Sequence, residues 1–203
     1  GAILKNVELD CDQTGWGITP IIGLDYKNGK WNVGVKYEFR TNLNIENTTK
    51  KNSDPDGTLA DYKDGVNTPN DIPSLLTVAV GYQFTPRLRA TAEYHFYDDK
   101  HARMANIPGT TTGKQHALTH GTNEFLAGAE YDVNKMITVS AGVQRTDYGL
   151  SNDYQSDTSF SCDSYSIGLG GAVKLTPKLT MNVAYFWTNY SKYTKSTDAS
   201  SRG

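Results

Sequence analysis

The chain has 203 residues, with 20 Lys and Arg against 22 Asp and Glu, a formal charge of -2 and 37% hydrophobic residues. Near-neutral charge with basic residues spread along the chain excludes the footprint of a nucleic-acid binder. The two cysteines, Cys11 and Cys162, fit neither a disulfide-dense scaffold nor a zinc site with paired ligands. They could pair in an oxidising compartment or stand as two thiols. Mean hydropathy of -0.56 would by itself describe a soluble domain, but strands with one wet and one greasy side give the same average, and no run approaches the ~20 apolar residues of a membrane helix.

In chain order, a weak strand-like run covers Ile3 to Leu9, and four hairpins follow. The first runs from Trp16 to Tyr26, turns at Asn28-Gly29 and returns from Trp31 to about Asn44; Asn-Gly is a strong hairpin signal because both residues tolerate positive φ. The second pairs Ile72 to Phe84 with Leu88 to Tyr97 across Thr85-Pro86-Arg87. The third pairs Thr122 to Val133 with Met136 to Tyr148 across Asn134-Lys135, and the fourth pairs Ser164 to Leu175 with Leu179 to Tyr193 across Thr176-Pro177-Lys178. Long polar connections, roughly Ile45 to Asp71, Asp98 to Gly121 and Gly149 to Asp163, separate the hairpins. The start at Gly1-Ala2, without a leader pattern, reads as the boundary of a mature or partial chain, and the polar end from Thr197 to Gly203 suggests that a final strand lies elsewhere.

Alternation within the strands is the main signal. Leu76, Val78, Val80, Tyr82 and Phe84 share one side of their strand, and Leu75, Thr77, Ala79, Gly81 and Gln83 share the other. The return strand separates Leu88, Ala90, Ala92, Tyr94 and Phe96 from Arg89, Thr91, Glu93 and His95. Aromatics sit at the ends of the apolar sides: Tyr26, Trp31, Tyr82, Phe84 and Tyr131 near the short turns, and Trp16, Phe39, Phe96 and Trp187 near the long connections. Ten residues from Trp16 to Tyr26 at ~3.3 Å rise and ~45° tilt put these belts about 23 Å apart, near the ~25 Å apolar band of outer-membrane barrels. The expected fold is all-β: one antiparallel up-and-down transmembrane β-barrel domain over residues 1–203, in a bacterial outer membrane. Its short turns would face the periplasm and its long loops the outside. A soluble calycin-like barrel, with the apolar side inward, is the minor alternative.

Several stretches carry a family likeness: Gly15-Trp16-Gly17 leading to Pro20-Ile-Ile-Gly-Leu-Asp-Tyr26, Asn32-Val-Gly-Val-Lys-Tyr-Glu-Phe-Arg40, Asp71-Ile-Pro-Ser-Leu75, Phe125-Leu-Ala-Gly-Ala-Glu-Tyr131 and Val139-Ser-Ala-Gly-Val143. On these the chain resembles the FadL/TodX family of outer-membrane transport proteins, as found in Gram-negative bacteria of the Bacteroides type. The resemblance implies a fourteen-stranded barrel with an N-terminal plug that takes up a long-chain fatty acid or hydrocarbon and passes it sideways into the membrane. Eight or nine visible strands are too few for that barrel, so the resemblance implies the C-terminal part of a larger one, and no binding residue carries over.

Candidate chemistry is sparse. Asp98-Asp99-Lys100-His101 could form half of an omptin-like proteolytic site, but no second acidic pair marks the other half, and a solvated loop is favoured. His116 and His120 lie in a Gly/Thr-rich stretch better read as surface than as a metal site. No catalytic, cofactor or metal role is expected, and the chain is not expected to be an enzyme. The side expected to face the lumen carries Lys36, Glu38, Arg40, Arg89, Glu93, His95 and Glu130. Their mixed signs fit a cross-lumen ion-pair network better than a selective pore. Small residues on that side, including Gly34, Ala79, Gly81, Gly128, Gly142, Gly168 and Ala184, leave room for a ligand or let a narrow ring close. Expected partners are outer-membrane lipid and a hydrophobic small molecule, with transport as the leading function and a structural or adhesive barrel as the alternative.

Overall fold

The computed structural model describes residues 8–53, 57, 59–107, 110–155 and 160–194. Its strands in chain order are β1 (Glu8–Thr14), β2 (Ile21–Asn28), β3 (Trp31–Glu38), β4 (Asn44–Ser53), β5 (Asn67–Pro69), β6 (Leu75–Thr85), β7 (Leu88–Tyr97), β8 (Thr122–Asp132), β9 (Ile137–Asp147), β10 (Ser164–Thr176) and β11 (Leu179–Tyr190). Eight of them form one antiparallel sheet in the order β11-β10-β9-β8-β7-β6-β3-β2, and β1, β4 and β5 form a separate three-stranded sheet. Among the described residues β2 and β11 pair on one side only, so the large sheet is open, with two free edges.

The short turns have identifiable chemistry. At Thr85-Pro86-Arg87 the Thr85 hydroxyl accepts the N–H groups of Arg87 and Leu88, at 3.2 and 3.0 Å. At Thr176-Pro177-Lys178 the Thr176 hydroxyl accepts the N–H of Lys178. Asn134 does the same with its side-chain oxygen, accepting from Met136 at 2.7 Å and Ile137 at 2.9 Å. Each turn thus satisfies backbone donors that a hairpin end leaves free. The first turn differs from expectation. Its loop residues are Gly29 and Lys30, and only Gly29, at φ 56°, takes the left-handed region. A glycine first in a two-residue loop suits a type II′ turn, so Asn28 stays in the strand.

All four hairpins are present, with boundaries shifted at the first. β2 begins at Ile21 rather than Trp16, because Pro20 has no N–H to donate to a ladder. β3 stops at Glu38, and the stretch to Asn44 runs instead through an isolated bridge between Thr41 and Ile72. The weak run at Ile3 to Leu9 falls largely outside the described residues; the first described strand covers Glu8–Thr14. The expected loop from Ile45 to Asp71 contains β4 and β5. Polar groups organise this ribbon. Asn47 is 1% exposed, accepts from Gln13 Nε2 at 2.9 Å and donates to the Asp61 carbonyl at 2.7 Å.

Among the described residues nothing forms a second layer over the large sheet. Leu24, Leu169 and Val183 on it are 72%, 61% and 63% exposed. The buried apolar side chains among the described residues are Ala102 and Leu118, both in the connection between β7 and β8. A water-soluble domain covers its apolar face with a packed layer. This one places its dry contacts in the loops and leaves the sheet bare.

Candidate functional site

Pairing register divides the sheet into two faces. One apolar row runs Val33, Val80, Ala92, Ala127, Val143, Ile167, Trp187 across seven strands. The row one residue away on the other face reads Asn32, Gly81, Thr91, Gly128, Gly142, Gly168, Phe186. The next polar row up the strands is Gly34, Ala79, Glu93, Leu126, Gln144, Ser166, Thr188. Above it lie Lys36, Thr77, His95, Glu124, Thr146 and Ser164.

Charges on the polar face pair with neighbours beside them. Lys36 Nζ is 2.6 Å from Glu38 Oε1. Arg89 bridges to Glu130 at 2.6 Å and to Asp132 at 3.1 Å, both on the adjacent strand β8. Asp132 also accepts the Thr138 hydroxyl at 2.7 Å. His95 stands between two carboxylates, Nε2 to Glu93 and Nδ1 to Glu124, each at 3.3 Å. Glu124 accepts further bonds from Gln144, Thr146 and Tyr97. These pairs run along one strand or between adjacent ones. Arg40 is not among them. It lies past the end of β3, where Nη1 donates to the His101 carbonyl at 2.6 Å and Nε stands 4.0 Å from Asp71.

Between the Arg89–Glu130 pair and the Glu93 row, the polar face is hollowed into a recess of about 510 Å³. Its floor is Gly128, Gly142, Gly168 and Gly170, with Leu126 and Phe186 as apolar sides. Phe186 and Leu126 were not singled out from sequence. The signal that could have found both is an apolar residue out of phase with its strand's alternation.

The aromatic residues group at the two ends of the apolar face. Near the short turns, Trp31 and Tyr82 have ring centroids 4.5 Å apart, and Phe84 meets Tyr82 edge-on at 4.8 Å. Tyr26 and Tyr131, 60% and 43% exposed, lie at the same end. Toward the long connections are Tyr37 with Phe39 and Tyr165 with Trp187, at 4.8 and 5.8 Å. Phe96 lies at that end of β7. Trp16, 81% exposed, precedes β2, so the ten-residue measure no longer lies on a strand. Eight residues from Trp31 to Phe39, one past the end of β3 but with its N–H still donating to the Pro20 carbonyl at 3.0 Å, give about 19 Å of height at the same ~45° tilt.

The loop layer is clamped at one carboxylate. Asp71, whose side chain is fully buried, accepts the backbone N–H groups of Leu43 and Arg103 and a two-pronged contact from the Arg103 guanidinium at 2.9 Å. Burial works to raise its pKa, but the Arg103 side chain and the two N–H groups outweigh it and hold the carboxyl below its ordinary value. Farther along, Lys114 lies 4.4 Å over the ring of Tyr154, whose phenol is pushed up by burial. In the Asp98 to His101 segment, Asp98 contacts His101 at 2.6 Å, Asp99 accepts the Thr122 N–H and Lys100 donates to the Thr119 carbonyl. These contacts anchor the loop. Among the described residues no group of His, Cys, Asp and Glu could hold a metal, and Cys11 and Cys162 are unpaired.

A one-layer sheet with a bare apolar face, aromatic ends and lateral ion pairs on its polar face is the construction of a membrane wall. The model of the outer membrane protein beta-barrel domain matches residues 40–201. The chain belongs to the outer-membrane protein β-barrel family. Its short turns therefore face the periplasm and its long connections face outward, and a soluble calycin-like barrel is set aside. Among solved structures, the chain is similar to the CymD monoaromatic hydrocarbon channel, at 15% identity and a TM-score of 0.56, over 87% of this chain and 47% of that one. The Ralstonia pickettii toluene transporter TbuX matches at 14% identity and a TM-score of 0.43, over 87% and 48%. This chain thus spans about half the length of the solved structures it matches. No curated protein sequence matches it significantly.

Proposed function

We propose that this barrel domain forms part of the wall of a FadL-type conduit that carries hydrophobic small molecules across the outer membrane, without catalysis. The observation that carries the reading is the open ground at mid-height of the polar face, where glycines and the apolar Leu126 and Phe186 interrupt an otherwise charged surface. The short stretches that resemble the FadL/TodX family support it. On this reading the apolar face meets lipid, with Tyr26, Trp31, Tyr82, Phe84 and Tyr131 at one interface and Phe39, Phe96 and Trp187 at the other, and the polar face lines the lumen. The free edges of β2 and β11 then pair with further strands, because an open ladder has no hydrogen-bond partners in hydrocarbon.

Uptake decides the matter. A strain lacking the full protein should take up radiolabelled long-chain fatty acid or aromatic hydrocarbon more slowly, with recovery on re-expression. Undiminished uptake of both classes would refute transport. The three-stranded sheet of β1, β4 and β5, outside the wall sheet, favours a second reading as a surface-presenting barrel. In that case deletion would alter adhesion or envelope integrity and leave uptake alone.

A further inference from the structure

We propose that the glycine-floored recess on the polar face binds a ring-shaped amphipathic molecule that is neutral or cationic, and discriminates against carboxylates. The inference rests on the conduit reading and narrows the class of molecule it would carry.

Volume comes first. At about 510 Å³ the recess lies within the ~300–1,000 Å³ range of small-molecule sites. Its flatness is not forced by backbone crowding everywhere. A Cβ added at Gly168 would meet nothing nearer than 3.9 Å, so neighbouring strands leave space for a side chain there. A side chain would instead fill the recess. Adjoining strands in register, Gly128, Gly142 and Gly168, expose peptide planes on which a flat ring can lie, and Phe186 offers an aromatic side. Phe186 is 73% exposed on a face where most neighbours are polar.

Charge then selects among flat rings. The lining holds two carboxylates, Glu93 and Glu130, against one guanidinium, Arg89. That guanidinium is already shared between Glu130 and Asp132. A carboxylate in the recess would find its one nearby lining cation engaged and Glu93 close by. An ammonium group gains from Glu93, whose carboxylate stands 3.3 Å from His95 Nε2 and faces no guanidinium within the lining, and from the face of Phe186. A neutral polar group has Gln144, Ser140 and Ser166 within the lining.

The test uses the full protein in a non-ionic detergent and three probes with one ring system: naphthalenemethanol, naphthylmethylammonium and naphthoate. Calorimetric titration is corrected against empty micelles. The first two should bind, and naphthoate should bind roughly tenfold more weakly than the ammonium probe. Gly168→Leu should reduce binding of the first two by about tenfold or more, whereas Ile167→Phe, on the opposite face of the same strand, should not. Folding is checked for each variant by the mobility difference between heated and unheated protein on a gel. Should Gly168→Leu fail to fold, Glu93→Gln serves in its place and should bring naphthoate closer to the neutral probe. Equal affinity for naphthoate and the ammonium probe, or undiminished binding by folded Gly168→Leu, overturns the proposal. If the probes bind as expected but deletion leaves hydrophobic uptake unchanged, the conduit reading fails and the binding site stands.

Discussion

Thr91 and Ala92 are neighbours at the middle of β7, both exposed, with side chains on opposite faces of a single sheet. Arginine at each position is therefore a paired experiment in which sequence position, strand and depth are held constant. At Ala92 the guanidinium would enter the row of Val80, Ala127 and Val143. If that face meets the centre of the bilayer, the cost is ~2–4 kcal/mol, a shift of about thirtyfold to a thousandfold in the folding equilibrium. At Thr91 the same group would point over the glycine floor near Glu93, and the expected change is under about 1 kcal/mol. Folding into phospholipid vesicles across a urea series, followed by gel mobility and tryptophan fluorescence, measures both. Equal losses would refute the facing of the sheet, and a larger loss at Thr91 would reverse it.

Other outcomes follow from named contacts. Asp71→Ala should leave the Arg103 guanidinium and two backbone N–H groups without their acceptor, costing about 1–3 kcal/mol of local loop stability in hydrogen exchange while the sheet stays protected. Because the Asp71 pKa is lowered on folding, its contribution is present above the ordinary carboxylate value of ~3.9 and lost as pH falls through the folded value. Protease sensitivity of the β7–β8 connection should therefore rise only in strong acid, and a rise already at pH 6 would contradict the assignment. Gly29→Ala should destabilise the first hairpin by about 1–2 kcal/mol, since its φ of 56° suits glycine alone, whereas Lys30→Ala should be near neutral in the same urea titration.

The hairpins were legible because two local signals coincide in them, a period of two and turn residues at fixed offsets. The ends of the strands were less so. Pro20 stops β2 by lacking a donor, and Arg40 continues the alternation of β3 while its backbone has already left the sheet. The β1–β4–β5 ribbon escaped the apolar pattern because buried amides such as Asn47, rather than aliphatic side chains, hold it together. Within a strand the glycines could be assigned to a face. Their alignment into one floor depends on the register of successive pairings, which no single strand encodes. The Asp71 clamp joins segments far apart in sequence through a carboxylate that looks like any loop aspartate.

The location of Ala102 and Leu118 has a consequence for assembly. An outward-facing connection begins on the periplasmic side and must traverse hydrocarbon with the hairpin it joins. A folded knot of polar backbone is a poor passenger, so these segments cross unfolded and collapse after arrival. Burial of these two side chains on the far side then opposes the return journey. The wall owes its persistence to the surrounding lipid, while the loops act as a pawl that engages once the hairpins are through.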